Sequence, residues 1–160
     1  ALGEHEAALG VLDEVLGSGV AVVEAQRAAA KALVAWGKAT DDASKLEQAI
    51  AGARPDDRGK NTVWGYSRLA SILGRGAAGD PRRLRLFFEA WRGVAQTRYD
   101  AALLASGDRR DEQLRKAANT VRALARQHPE LGGDATRAQF DALLKRIQSS
   151  LGQRPNGLVG

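Results

Sequence analysis

The sequence predicts an all-helical fold, a stack of antiparallel helical hairpins with about seven helices, and three observations carry that expectation. Apolar residues recur at helical spacing through almost the whole chain, with Leu114, Ala117, Ala118, Val121, Leu124 and Ala125 as a clear instance. Ala and Leu carry the apolar content while aromatics make up only 5%, and no alternating run of Val, Ile or Thr marks a strand. Finally, the periodic segments are separated by short Gly, Pro and Asp clusters that stop one helix and start the next. No helix of this kind stands alone in water, so each must bury its stripe against a neighbour.

The first helix begins at Gly3-Glu4-His5-Glu6-Ala7-Ala8, places Ala8, Leu9, Leu12, Val15 and Leu16 on one face, and ends at Gly17-Ser18-Gly19. A second, Ala-rich helix runs from about Val20 to Ala39 and carries Leu33, Val34 and Trp36. Asp41-Asp42 is a cap for a third, with Leu46, Ala49 and Ile50 inward, up to about Gly52. Pro55 to Lys60 reads as a loop, after which Asn61 or Thr62 is expected to cap a fourth helix containing Val63, Trp64, Leu69, Ala70, Ile72 and Leu73. Asp80-Pro81 opens the fifth, which runs to Ala105, since proline is favoured in the first helical turn. The sixth spans about Arg109 to His128. Asp134 is expected to cap the seventh, where Phe140, Leu143, Leu144, Ile147 and Leu151 form one stripe. Residues 1–152 thus read as one domain and 153–160 as a frayed tail. The longest pair, from Leu84 to His128, is expected to be the most stable part, with Phe87, Phe88, Trp91, Val94, Tyr99 and Leu103 inside it.

Composition narrows function more than it names it. With 160 residues, 44% hydrophobic and 27% charged, the chain has the make-up of a soluble globular domain. No apolar run approaches the roughly 18 to 20 residues that span a bilayer, and the start lacks the pattern of a signal peptide. Because the chain begins at Ala1 and contains no Met, it reads as a processed or partial sequence, which leaves its compartment open and admits an extracytoplasmic one. Without Cys there are no disulfides, thiolate metal sites or cysteine nucleophiles. The net charge of +5 is uneven: residues 1–50 hold 4 basic and 8 acidic side chains, and the rest 20 and 11, giving −4 and +9.

Trp36-Gly37 and Trp64-Gly65 echo one another 28 residues apart, a spacing that argues for stacked hairpins. The opening Gly3-Glu4-His5-Glu6-Ala7-Ala8 resembles the start of the second helix of a tetratricopeptide repeat, with His5 for the usual Tyr, and Ala117 followed by Pro129 resembles the end of one. Val63-Trp64-Gly65, Phe87-Phe88-Glu89-Ala90, Pro129-Glu130-Leu131-Gly132-Gly133 and Phe140-Asp141-Ala142-Leu143-Leu144 are similar to the C-terminal part of large bacterial tetratricopeptide-type proteins. That resemblance implies a superhelical scaffold for protein association without catalysis, and assigns no ligand residue.

The candidate chemistry is thin. Gly74-Arg75-Gly76-Ala77-Ala78-Gly79 matches G-x-G-x-x-G, but a dinucleotide loop needs a strand before it and helix precedes this one, so a plain break is favoured. His5 and His128 stand in no metal or acid/base constellation. Asp41-Asp42, Asp56-Asp57 and Asp111-Glu112 are explained by capping and the helix dipole. No catalytic, cofactor or metal residue is predicted, and the chain is read as a non-enzyme. Trp36, Trp64, Phe88, Trp91 and Tyr99 are expected in the core in preference to a peptide groove.

Arg82, Arg85, Arg92 and Arg115, Arg122, Arg126 form basic helical stripes with Arg109-Arg110 between them. Interspersed carboxylates and the absence of interleaved aromatics favour a solvated face or an acidic protein partner over nucleic acid. The residues expected to carry association are Arg115, Arg122 and Arg126 together with the terminal stripes Leu9, Leu12, Leu16 and Phe140, Leu144, Ile147. The partner is expected to be a protein, which includes copies of this chain joined head to tail into a fibre, because the ends have opposite charge and an uncapped repeat end is adhesive.

Overall fold

The computed structural model describes residues 2–17, 23–55 and 57–158, with the side chains of residues 2, 5 and 12–17 left aside. Among the described residues there are seven α-helices: α1 (Leu2–Gly17), α2 (Val23–Ala39), α3 (Ala43–Ala51), α4 (Gly65–Gly74), α5 (Pro81–Leu103), α6 (Gly107–Gln127) and α7 (Asp134–Ser150). The fold is all-α apart from two three-residue strands, β1 (Ala53–Pro55) and β2 (Asn61–Val63), which pair antiparallel with Ala53 opposite Val63. Each helix packs on the next in the chain, and α5 sits centrally, touching α2, α3, α4, α6 and α7. No described helix is long and apolar enough to cross a membrane.

The core follows the helical periodicity. Leu46, Leu69, Val94, Leu114, Val121, Phe140, Leu143, Leu144 and Ile147 are all within 1% of complete burial, and each such side chain contributes roughly 1.5–3 kcal/mol relative to exposure. Leu103 departs from its predicted stripe: it is 57% exposed beside the α5 terminus. The α5–α6 pair is the most extensive helix pairing, and its loop back to α7 inserts Leu131 fully into the core while Gly132 rests against the Phe88 ring.

Capping explains most boundaries. The Asp42 carboxylate accepts the Ser44 N–H at 2.8 Å, and Asp80 accepts the Arg83 N–H at 3.0 Å with Pro81 in the first turn. The Arg83 guanidinium returns the favour to α4, donating to the terminal carbonyls of Ile72 and Leu73 at 2.7 and 3.0 Å. Asp134 does not cap α7 as expected; Gly133 holds that position and Asp134 is the first helical residue, where its charge still favours the dipole.

The segment before α4 differs most from expectation. Asn61 and Thr62 do not cap a helix but lie with Val63 in β2, and α4 begins only at Gly65. The cause is a clamp from α2: buried Gln26 donates to Thr62 O at 2.8 Å and accepts the Trp64 N–H at 2.7 Å. That clamp holds the chain extended where local sequence favoured a helix. Accordingly the two Trp-Gly pairs are not equivalent, since Trp36-Gly37 lies within α2 and Trp64-Gly65 at the start of α4. Both glycines do permit close approach, Gly37 to Asp42 O and Gly65 to the backbone of Ile50 and Gly52.

The tail also differs. Instead of fraying, residues 156–158 fold back on α7: Gly157 N–H donates to Gln148 Oε1 at 2.8 Å and Leu158 N–H to Asp141 Oδ1 at 2.7 Å, with Leu158 packed on the core. The expected stop at Ser18-Gly19, the first turn of α2 at 20–22 and Asp56 lie outside the described residues.

Candidate functional site: a basic notch between α6, α7 and the tail

Helical spacing on α6 puts Arg122 and Arg126 on one face, with Ala125 between them. The α7 helix runs alongside and contributes Arg137, Leu144 and Gln148, while Pro129 closes one corner and Asn156 to Leu158 form the far wall. Together they enclose an open notch of about 490 Å³. Its floor is apolar, from Ala125, Leu144 and Leu158, and its rim carries three guanidinium groups and no carboxylate.

The charges are only partly matched locally. Arg122 is half-buried and Arg126 exposed, and among the described residues neither has an ion-pair partner; Arg137 donates to Pro129 O and lies in the field of the Asp141 carboxylate, one turn on along α7. Asp141 of α7 is also engaged with Lys145 at 2.7 Å and with the tail N–H of Leu158. Burial pushes the Asp141 carboxyl up, but the hydrogen bonds from Lys145 and Leu158 outweigh it and hold it below the ordinary value of 3.8.

The third predicted arginine, Arg115, is not in the notch. It lies two turns before Arg122 on α6, exposed, 3.8 Å from Asp111. Of the apolar candidates, Leu9, Phe140, Leu144 and Ile147 are at most 1% exposed, so these four form the chain's own core. Leu144 reaches the notch only as part of its floor. The side chains of Leu12 and Leu16 lie outside the described residues, as does that of His5. Sequence reasoning missed Arg137, Gln148 and the tail. The one available signal for the tail was Asn156-Gly157, a turn pair, directly before apolar Leu158.

A second hollow of about 470 Å³ lies along the α5–α6 seam, lined by Trp91, Arg98, Lys116, Thr120 and Leu124 among others. Burial holds the Arg98 guanidinium below its usual value, and it donates to Thr120 Oγ1 and to Lys116 O. Trp91 is half-buried against the core there, whereas Trp36, Trp64 and Tyr99 sit apart, each under a cation: Lys45, Arg68 and Arg146. The five aromatics therefore do not share a groove. His128 packs edge-on against Phe87 and Phe88, with centroids 5.4 and 5.6 Å away. Of the predicted acidic pairs, Asp111-Glu112 finds cations one turn on, with Glu112–Lys116 at 2.6 Å, and the Lys116 hydrogen bond lowers the Glu112 value. Among the described residues no three of His, Cys, Asp and Glu gather around a common point. The Gly74 to Gly79 segment is the end of α4 followed by a single 3-10 turn, Ala77–Gly79, with helix and not strand before it.

No family model, curated protein sequence or solved structure matches this chain.

Proposed function

We propose that the chain is a non-catalytic, tetratricopeptide-like helical scaffold that associates with another protein through the α6–α7 notch. The observation that carries this reading is the combination of three arginines, two of them without an ion-pair partner among the described residues, with apolar lining from Ala125, Leu144 and Leu158. Guanidinium groups bind carboxylates bidentately, and the floor accepts one apolar side chain, so the fitting partner is an acidic segment with a Leu-like anchor. The lining contains no hydroxyl nucleophile, imidazole or carboxylate, which favours binding over catalysis. It contains no aromatic ring on which a base could stack, which favours a protein over nucleic acid. The sequential packing of α2 on α3, α3 on α4 and α4 on α5 supports the stacked-hairpin description.

Fluorescence anisotropy with a labelled peptide of Glu residues around a single Leu tests the reading. Binding should saturate, weaken as salt rises, and be lost in the Arg122→Ala/Arg126→Ala double variant but not in Arg115→Ala. Replacing the peptide's Leu by Ser should also weaken it. Equal binding by the double variant, or displacement of the peptide by single-stranded RNA or duplex DNA, would overturn it.

A further inference from the structure

On the opposite side of α5 a smaller cleft of about 210 Å³ is built from three helices far apart in sequence, with Arg27 and Lys31 from α2, Tyr66 from α4, and Glu89, Arg92, Gly93 and Gln96 from α5. Its construction is specific. Gly93 has no side chain because the Tyr66 ring lies flat on it; a Cβ there would come within 2.7 Å of the ring. Arg27 and Glu89 join α2 to α5 across the cleft as an ion pair. Lys31 stands one turn beyond Arg27 and Arg92 one turn beyond Glu89. Among the described residues, the Lys31 ammonium, the Arg92 guanidinium and the Tyr66 hydroxyl have no hydrogen-bond or ion-pair partner, although Tyr66 itself is only 9% exposed.

We propose that this cleft binds a phosphate monoester dianion, with Lys31 and Arg92 matching its two charges and the Tyr66 hydroxyl donating to a third oxygen. The charge balance selects that ligand class: Arg27 and Glu89 pair with each other, which leaves two cations and one neutral donor lining a cleft with room for a phosphate and part of its ester. A monocarboxylate would match only one of the two cations. The body of the ester has a direction as well. Glu89 and Arg92 also border a neighbouring hollow of about 180 Å³, lined further by Arg85, Phe88, Thr136 and Gln139. Thr136 and Gln139 there suit an organic part that carries hydrogen-bonding groups. Burial pushes the Tyr66 phenol above its ordinary value, while Arg27 and Arg92 act in the other direction, so it remains a neutral donor at physiological pH. This inference is independent of the α6–α7 notch.

Calorimetric titration of the whole chain with inorganic phosphate and with O-phosphoserine, against serine and against chloride at matched ionic strength, tests it. Both phosphates should bind saturably, phosphoserine the tighter, and serine and chloride should give no heat of binding. Arg92→Gln should weaken binding on the order of tenfold or more, and Tyr66→Phe, which keeps the ring on Gly93, should weaken it less. The Arg122→Ala/Arg126→Ala variant should bind phosphate as the parent does, which separates this site from the notch. Thermal unfolding of each variant establishes that it is folded. Absence of saturable phosphate binding, equal affinity in Arg92→Gln and Tyr66→Phe to that of the parent, or loss of it in the notch variant would each overturn the proposal.

Discussion

Gly65 and Gly76 share a left-handed backbone, with φ of +71° and +82°, yet their neighbours differ completely. A Cβ on Gly65 would stand 2.5 Å from Gly52 N and 2.7 Å from Ile50 O, both backbone atoms that cannot turn aside, whereas one on Gly76 would meet nothing within 4 Å. Gly76→Ala therefore carries only the left-handed penalty, about 1 kcal/mol, while Gly65→Ala adds a backbone clash and should cost about 3 kcal/mol or more. Urea unfolding of the two variants checks this, and equal losses would mean that the β2–α4 junction relaxes freely. The same junction depends on Gln26. In Gln26→Leu the carbonyl of Thr62 and the N–H of Trp64 lose their partner, so a loss of about 2 kcal/mol is expected by the same measurement. Trp91 marks the contrast between core and groove: because it is only half-buried on the α5–α6 seam, Trp91→Ala should cost about 2 kcal/mol, below the roughly 3–5 kcal/mol of an enclosed aromatic.

Among the elements, the tail has the least behind it and the clearest chemical control. Its hold on α7 is two N–H donors and one apolar side chain, and Asp141 accepts one of those donors while paired with Lys145. Because the folded carboxyl titrates below its unfolded value of 3.8, this contribution is fully present above that value and lost as pH falls through the folded one. The Leu158 amide should stay protected from hydrogen exchange at neutral pH and lose protection only in acid. Gly157→Ala should remove it at any pH, since φ is +68° and a Cβ would fall 2.0 Å from Asp141 Oδ1. Protection that survives in Gly157→Ala would show that the apolar seat of Leu158 alone suffices. The helices themselves were legible because their stripes and caps are local: α3, α5 and α6 begin and end within about two residues of the boundaries that Asp42, Asp80 and Gly107 imply. The β1–β2 hairpin was not, because what holds it extended is a side chain on another helix, and local propensity yields to such a contact. Arg122 and Arg126 were legible for the same reason as the helices, four residues apart on one face. Arg137 and Leu158 join them only through the packing of α7 and the tail, and Arg27, Tyr66 and Arg92 meet only because α2, α4 and α5 do.

For the whole molecule, the distribution of apolar surface bears on whether the chain polymerises. A head-to-tail fibre needs an unpaired stripe at each end, and at the C-terminal end that stripe is absent. Phe140, Leu143, Leu144 and Ile147 face α5 and α6, and Leu151 and Leu158 cover the remainder of the core from that side. On α1, Leu9 is buried against the chain and the described apolar surface amounts to Val11, 65% exposed, with small alanines beside it. One exposed valine is far from the roughly 1,000 Å² of total buried surface that a specific interface needs. Among the described residues, what remains of the attraction is electrostatic, −4 in residues 1–50 against +9 in the rest, and such attraction steers encounter without holding a complex once salt screens it. The purified chain should therefore sediment as a monomer at physiological salt across a wide concentration range, with at most weak, rapidly reversible association when the salt is lowered. Salt-resistant oligomers would point instead to the stretch around Leu12 and Leu16. In that case deletion of residues 1–16 should dissolve them, while Arg122→Ala/Arg126→Ala should leave them intact and affect only the acidic peptide.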